Sequence, residues 1–134
     1  MYKKILISMS LDHGFGEQAI QVARALRAQD GDIFAVHVYE TLQGSAKAFV
    51  AQQDVDNAMA AAQNRIEERV KDEPDIQAVL LKGHSGRALT DYATEVGADC
   101  ILVGAHKPGL RDFLLGSTAA RVARHARCAV VVLR

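Results

Sequence analysis

Short apolar runs and amphipathic stretches alternate along the 134 residues of this chain. Residues 4–8, KILIS, form a nearly continuous apolar run, as expected of a strand buried on both faces of a parallel sheet. In residues 17–28 apolar side chains recur three or four positions apart, which predicts a helix that Gly31 closes. The same alternation predicts further strands at residues 33–39, 76–82, 99–104 and 128–133, and further helices at residues 54–71, 87–96 and 117–126.

Five predicted strands therefore alternate with four predicted helices. Such alternation requires right-handed crossovers and a parallel sheet with helices on both faces, so we expect a single three-layer α/β domain over residues 1–134. In an open sheet of this kind, ligands bind outside the carboxyl ends of the strands, where the strand order reverses. The segments in which to seek a site follow the first four strands, at residues 9–16, 40–51, 83–86 and 104–118.

Composition and charge narrow the classes of partner. Hydrophobic residues make up 49% of the chain and charged residues 24%, as in one compact soluble domain. Sixteen Lys and Arg balance sixteen Asp and Glu, so the net charge does not favour nucleic acid or a membrane surface as a partner. The first apolar run is too short for a signal peptide, and no stretch approaches the ~20 apolar residues of a membrane span. We therefore expect a cytoplasmic protein without membrane insertion.

The cysteines and histidines give little support for redox, metal or hydrolytic chemistry. Cys100 and Cys128 lie in apolar surroundings without CxxC spacing, which predicts buried free thiols rather than a disulfide. The five histidines are dispersed, and only His84 and His106 lie on loops that follow consecutive strands along the chain, at the carboxyl end of the predicted sheet, which makes a weak metal pair. GHSGR, at residues 83–87, lacks the spacing of a nucleophile elbow. We predict no catalytic residue and no metal site.

The segment after the fourth strand, GAHKPGLRDFLLGST, has features of a phosphate site. It ends in Gly116, Ser117 and Thr118 where a helix is predicted to begin, and a helix N-terminus offers unpaired N–H groups and a positive dipole end to an anion. Gly104 lacks a Cβ, which lets a ribose or phosphate approach the backbone or simply permits a turn. An ordinary N-cap formed by Ser117 or Thr118, without any ligand, is the alternative.

The two ends of the chain resemble the universal stress protein family. FLLGSTAARVARHARCAVVVLR, at residues 113–134, is similar to the C-terminal signature of that family, and the resemblance begins at MYKKILIS and covers essentially the full length. It implies a Rossmann-like sheet with the strand order 3-2-1-4-5. It also implies a stress-response module that binds ATP or another adenine nucleotide, with or without Mg²⁺. Because no general base is evident in the sequence, we expect ATP hydrolysis to be slow at most. A homodimer through the C-terminal strand and an unidentified protein partner are implied as well.

ATP-binding members of that family resemble one another in a loop of Gly, two residues, Gly, nine residues and then Gly followed by Ser or Thr. Gly104, Gly116 and Ser117 match the two ends of this pattern, whereas Lys107 stands at its second Gly and the interval is one residue shorter. The loop resembles a variant with His-x-Pro, in which Gly109 supplies the flexible backbone. The residues that the resemblance places around the phosphates are Lys107, Gly109, Gly116, Ser117 and Thr118.

The first loop departs from the family at the position where an Asp usually faces the base or ribose. Here that position is Ser10. The resemblance implies that the adenosine side is lined by Ser8, Ser10 and Val38, with Val103 and Gly104 beside them. Together with the altered loop at Lys107, Ser10 leaves a second hypothesis open, in which the same fold has lost nucleotide binding and works as a dimeric partner-binding protein.

Overall fold

A computed structural model describes residues 1–11, 16–41, 48–105 and 115–134 of the chain. In these residues five parallel strands alternate with four α-helices, as the sequence predicts. The strand order is β3-β2-β1-β4-β5, which confirms the order that the family resemblance implies. The elements are β1 (Tyr2–Ser8), α1 (Gly16–Leu26), β2 (Arg27–Glu40), α2 (Gln52–Arg69), β3 (Ile76–Gly83), α3 (Ser85–Val96), β4 (Cys100–Gly104), α4 (Ser117–His125) and β5 (Ala129–Leu133).

Helices cover both faces of the sheet and produce two separate apolar cores. Ile5 and Ile7 of β1 pack with Ile66 of α2 on one face, together with residues of α1. Leu6, between them, packs on the opposite face with Leu89 of α3 and with α4. Because successive side chains of a strand point to opposite faces, a continuous apolar run supplies both cores. Each of these fully buried side chains stabilises the fold by about 1.5–3 kcal/mol.

The start of β2 is the one boundary that differs substantially from the sequence prediction. We expected the first helix to reach residue 28 and the second strand to start at residue 33, but β2 already begins at Arg27, which pairs with Tyr2. The register then shifts, so that Lys4 pairs with Asp32. The extra residues of β2 are accommodated at Gly31, where a Cβ would lie 2.9 Å from the Tyr2 carbonyl oxygen. Gly31 is therefore a point of close strand contact rather than a helix terminator.

The two edges of the sheet are β3 and β5. β5 pairs with β4 from Ala129 to Leu133, and its Val132 is 36% exposed. This placement confirms the prediction that the last strand lies at an edge. Of the helices in the described ranges, none has the length and apolar character that crossing a membrane requires.

Candidate functional site

The strand order reverses between β1 and β4, which neighbour each other at the centre of the sheet. The chain leaves β1 toward β2 on one side and leaves β4 toward β5 on the other, so the carboxyl ends of β1 and β4 flank a crevice. Ser8 is the last residue of β1, and Gly104 is the last residue of β4. The predicted site residues of both strands therefore lie at the edge where ligands bind in sheets of this class.

Two hydrogen bonds to the backbone of Met9 hold the chain in place just after β1. The Met9 amide donates to the Val36 carbonyl at 2.8 Å, and Nδ1 of His37 donates to the Met9 carbonyl oxygen at 2.8 Å. The Met9 side chain is buried in the core on the α1/α2 face, whereas Ser8 and Ser10 on either side of it are half-buried. Alternation along the strand places Ser8 on the same face as Leu6, the α3/α4 face.

Two arginines of α2 hold the same segment. Arg65 donates to the Leu11 carbonyl oxygen at 3.0 Å, and Arg69 donates to the same oxygen at 3.3 Å. Arg65 is exposed and Arg69 is half-buried, as the amphipathic pattern of this helix predicts, yet both guanidinium groups reach the loop. Their spacing of one helical turn is the only sequence signal that could have indicated a shared contact. These arginines, like His37, position the loop at the site although sequence reasoning did not assign them to it.

The start of α4 is tied directly to the end of β4. The Gly116 amide donates to the Ala105 carbonyl at 2.7 Å, and the Ala105 amide donates to the Leu133 carbonyl at 2.6 Å. Gly104 and Gly116, twelve positions apart in sequence, are thereby brought to one place. The buried Gly116 is the N-cap residue, with an extended backbone and without a side-chain hydrogen bond to cap the helix.

This geometry changes the interpretation of Ser117 and Thr118. Ser117 is the first helical residue and is exposed, and Thr118 follows it half-buried, so neither side chain is the N-cap that the ligand-free alternative requires. The first-turn N–H groups of α4 have no capping side chain among the residues that the structure describes. A helix terminus in this state attracts an anion through its N–H groups and its dipole.

The remaining predicted site residues have different surroundings. Val38 lies near the end of β2, two residues beyond the Val36 that pairs with Ser8, and is half-buried. Val103 is 1% exposed, and its side chain fills the core on the α3/α4 face, so only its backbone can face a ligand. Lys107 and Gly109 lie outside the described residues, as does His106. The described part of the chain holds no group of three or more His, Cys, Asp or Glu side chains suited to a metal ion.

Both cysteines are free thiols and lie outside the site. Cys100 packs in the core on the α1/α2 face, whereas Cys128 packs against the α3/α4 core on the other side of the sheet. Burial, with a smaller contribution from Cys128, raises the pKa of the Cys100 thiol to about 11. Because the thiolate is the reactive form, Cys100 is a poor nucleophile at neutral pH.

Comparison with known proteins gives one consistent result over the whole chain. A family model described as the Universal stress protein family matches residues 1–134. Universal stress protein G of Salmonella typhimurium is 30% identical over 151 aligned residues, which cover 100% of both chains. Universal stress protein A homolog 2 of Coxiella burnetii is 30% identical over 140 residues, which cover 99% of this chain and 95% of that protein.

Solved structures share the fold. The universal stress protein UspA from Lactobacillus plantarum superposes with a TM-score of 0.78 at 22% identity, covering 99% of this chain and 98% of that one. A universal stress protein in complex with cAMP gives a TM-score of 0.67 at 25% identity, covering 99% and 97%. The universal stress protein from Archaeoglobus fulgidus in complex with dAMP gives 0.63 at 21% identity, covering 99% and 98%.

Proposed function

This chain belongs to the universal stress protein family, and from that premise we propose that it binds an adenine nucleotide at the carboxyl end of its sheet. The observation that carries the proposal is the hydrogen bond from Gly116 to Ala105, because it sets the N-terminus of α4 beside the end of β4. Phosphate is the group that such a helix terminus favours. Two proteins of the same fold were crystallised with cAMP and with dAMP, which supports adenine nucleotides as the ligand class.

The phosphates would lie against the first turn of α4. Backbone N–H groups of Ser117 and Thr118 and the two hydroxyls supply donors there, while the Gly116 N–H is bonded to the Ala105 carbonyl and Gly116 adds no side chain that would obstruct the phosphate. The helix dipole adds about 0.3–1 kcal/mol at an exposed terminus. Gly104 has no Cβ, so the ribose or a phosphate of the ligand can approach the protein backbone at the end of β4. In this proposal Lys107 supplies a cation, which suits phosphate as a point charge, and Gly109 supplies a flexible backbone.

The adenosine would lie toward β1 and β2. Ser8, Ser10 and Val38 line that side, and the Val103 backbone closes it, since the Val103 side chain belongs to the core. A neutral hydroxyl at Ser10 makes a weaker bond to the ribose than a carboxylate would, about 0.5–1.5 kcal/mol against 1.5–3. We therefore expect affinity for the nucleoside part to be modest, with the phosphates contributing most of the binding free energy.

We further propose ATP as the main ligand, with Mg²⁺ only as the counter-ion of its phosphates. The protein would act in the cytoplasm as a stress-response module, whose contacts with a protein partner depend on nucleotide occupancy, and β5 would pair with the β5 of a second copy to form a homodimer. Hydrolysis would be slow at most, because this proposal assigns no residue as a general base.

A second candidate function follows from Ser10 and from Lys107. Ser10 stands where the family usually has Asp, and Lys107 stands at the second Gly of the loop pattern. An interaction module of the same fold that no longer binds nucleotide would not need that Asp or that Gly. This candidate predicts that Ser10→Asp fails to create nucleotide binding. The first candidate predicts that Ser10→Asp strengthens binding by about tenfold, since the new carboxylate gains a charged hydrogen bond to the ribose.

Calorimetric titration of the full chain with ATP and with AMP tests the proposal. We expect saturable binding that Ser117→Ala weakens, with Ser85→Ala as the matched control because Ser85 is the first residue of α3. The proposal fails if millimolar nucleotide gives neither heat nor a thermal shift. It also fails if the two serine variants weaken binding equally.

A further inference from the structure

A polar cleft of about 370 Å³ lies between α3 and α4, and none of the described residues that line it belongs to the proposed nucleotide site. Three arginines and one histidine line it: Arg87 from α3, Arg121 and His125 from α4, and Arg127 just after α4. All four side chains are exposed to solvent. The structure brings them from two helices to a single concave surface.

The positive charge of this cleft is only partly compensated. Among the lining residues that the structure describes, Asp91 is the single acidic one, and it lies 3.8 Å from Arg87 in an exposed pair one helical turn apart. Within the described ranges Arg121 and Arg127 have no ion-pair partner.

Arg121 is held in place by close helix packing. A Cβ on Gly86 of α3 would lie 2.9 Å from Cβ and 2.8 Å from Cδ of Arg121, so the aliphatic part of the arginine lies directly over the glycine. Only a glycine at position 86 allows Arg121 to pack this closely against α3. A guanidinium whose stem is already packed loses less side-chain entropy when it binds a ligand.

We propose that the α3/α4 cleft is a second anion site, which takes a small ligand carrying two or more phosphate groups. Guanidinium forks match phosphate oxygens in a bidentate manner. The hydroxyls of Thr90 and Thr94 in the lining already donate to the backbone carbonyls of Arg87 and Thr90, so the arginines carry the recognition of the anion. The cleft volume lies at the lower end of the ~300–1,000 Å³ range of small-molecule sites, which favours a compact ligand. The described part of the lining offers no large apolar side chain to bind an uncharged ligand.

The test uses the full chain carrying Ser117→Asp, so that the proposed nucleotide site repels phosphate while the cleft is intact. Inorganic triphosphate is titrated at low salt, and the Arg side-chain Nε–Hε signals are followed by NMR. We expect saturable shifts at Arg121 and Arg127. Replacing both by Gln should weaken the affinity by about 100-fold, since each charged contact is worth about tenfold.

Arg124→Gln is the matched control, because Arg124 is exposed on the same helix but does not line the cleft. Gly86→Ala retains every charge and should still weaken binding by displacing Arg121, with thermal unfolding used to check that the variant is folded. A second titration with ATP identifies the part of the ligand that the cleft recognises. Equal affinities for ATP and triphosphate mean that only the phosphate groups are bound, whereas a higher affinity for ATP means that the nucleoside is bound as well. Absent shifts at millimolar triphosphate, or equal losses in Arg124→Gln and the double variant, overturn the proposal.

Discussion

At the scale of single residues, Ser117 separates helix stability from ligand binding. It is the exposed first residue of α4, where an acidic side chain interacts favourably with the helix dipole by about 0.3–1 kcal/mol. Ser117→Asp should therefore leave the melting temperature unchanged or raise it, while the new charge repels a phosphate and removes ATP binding in calorimetry. A variant that melts as expected but binds ATP as tightly as the parent chain would place the phosphates elsewhere.

Gly31 tests the close contact between β1 and β2. A Cβ there would lie 2.9 Å from the Tyr2 carbonyl oxygen and 3.1 Å from that of Lys3, and neither backbone atom can move aside without disturbing β1. We expect Gly31→Ala to lower the free energy of unfolding by about 1–3 kcal/mol, the usual cost of overpacking. Urea denaturation measures this change.

Gly97 provides the matched glycine control for that experiment. It has φ of 71°, a left-handed conformation, and a Cβ there would meet no atom within 4 Å. Asn adopts this conformation readily, so Gly97→Asn should change the free energy of unfolding by about 0.5 kcal/mol or less. If Gly31→Ala and Gly97→Asn lower the free energy of unfolding equally, the close contact with β1 is not the reason for a glycine at position 31.

At the scale of elements, α2 supports the loop that follows β1. Arg65 and Arg69 both donate to the Leu11 carbonyl, and Leu11 directly follows Ser10. Replacing both arginines by Ala should weaken ATP binding several-fold, because the loop on the adenosine side loses its anchor, as calorimetry would show. Glu68→Ala is the control on the same helix, since it removes only an exposed pair with Lys71. Unchanged ATP affinity in the double arginine variant would show that Arg65 and Arg69 do not position the loop for nucleotide binding.

A second element contact predicts a dependence of stability on pH. Arg24 of α1 and Arg27 of β2 pair with Asp75, just before β3, and the hydrogen bond from Arg24 lowers the Asp75 pKa from 3.8 to about 2. A carboxyl group whose pKa is lower in the folded state stabilises the fold above its unfolded pKa. That contribution is lost as the pH falls from about 4 through about 2.

The pair is partly exposed, so solvent screening reduces its contribution to about 1 kcal/mol or less. We expect urea denaturation of Asp75→Asn to show a lower free energy of unfolding than the parent chain at pH 7. The difference should shrink as the pH is lowered toward 2, because the parent carboxyl then becomes protonated as well. A difference that is independent of pH would contradict the assigned role of Asp75.

The elements also show how far the sequence pattern could predict the fold. Apart from the start of β2, every helix and strand boundary lies within two residues of its predicted position. Strands buried on both faces leave continuous apolar runs, and helices leave apolar residues three or four positions apart, so both kinds of element give a clear signal. The start of β2 could not be predicted, since residues 27–32 are mostly polar and become strand only by pairing with β1. Tertiary pairing there overrides local preference.

For the site, the sequence could predict which loops form it but not which side chains hold those loops in place. The strand alternation alone locates Ser8, Gly104 and Ser117 at one edge of the sheet. The hydrogen bonds of His37, Arg65 and Arg69 end on backbone carbonyls, which any residue can provide. Such contacts leave no signature in the sequence of the acceptor segment, and for that reason the sequence analysis assigned neither Arg65 nor Arg69 to the site.

At the scale of the whole molecule, β5 is the surface through which we propose dimerisation. An edge strand presents a row of unpaired backbone groups, and β5 is apolar with Val132 36% exposed. Sedimentation at micromolar concentration should give the mass of two chains. Val132→Lys should give one chain, because a lysine on an edge strand opposes pairing with a second edge. A parent chain that sediments as a monomer would contradict the dimer.

The central claim is that an adenine nucleotide occupies the crevice between β1 and β4, and a crystal structure of the full chain grown with millimolar ATP tests it most directly. We predict density for the base and ribose beside Ser10 and Val38, and phosphate oxygens within hydrogen-bonding distance of the Ser117 backbone N–H. An empty crevice in those crystals, or a nucleotide bound only at another surface, would contradict the account.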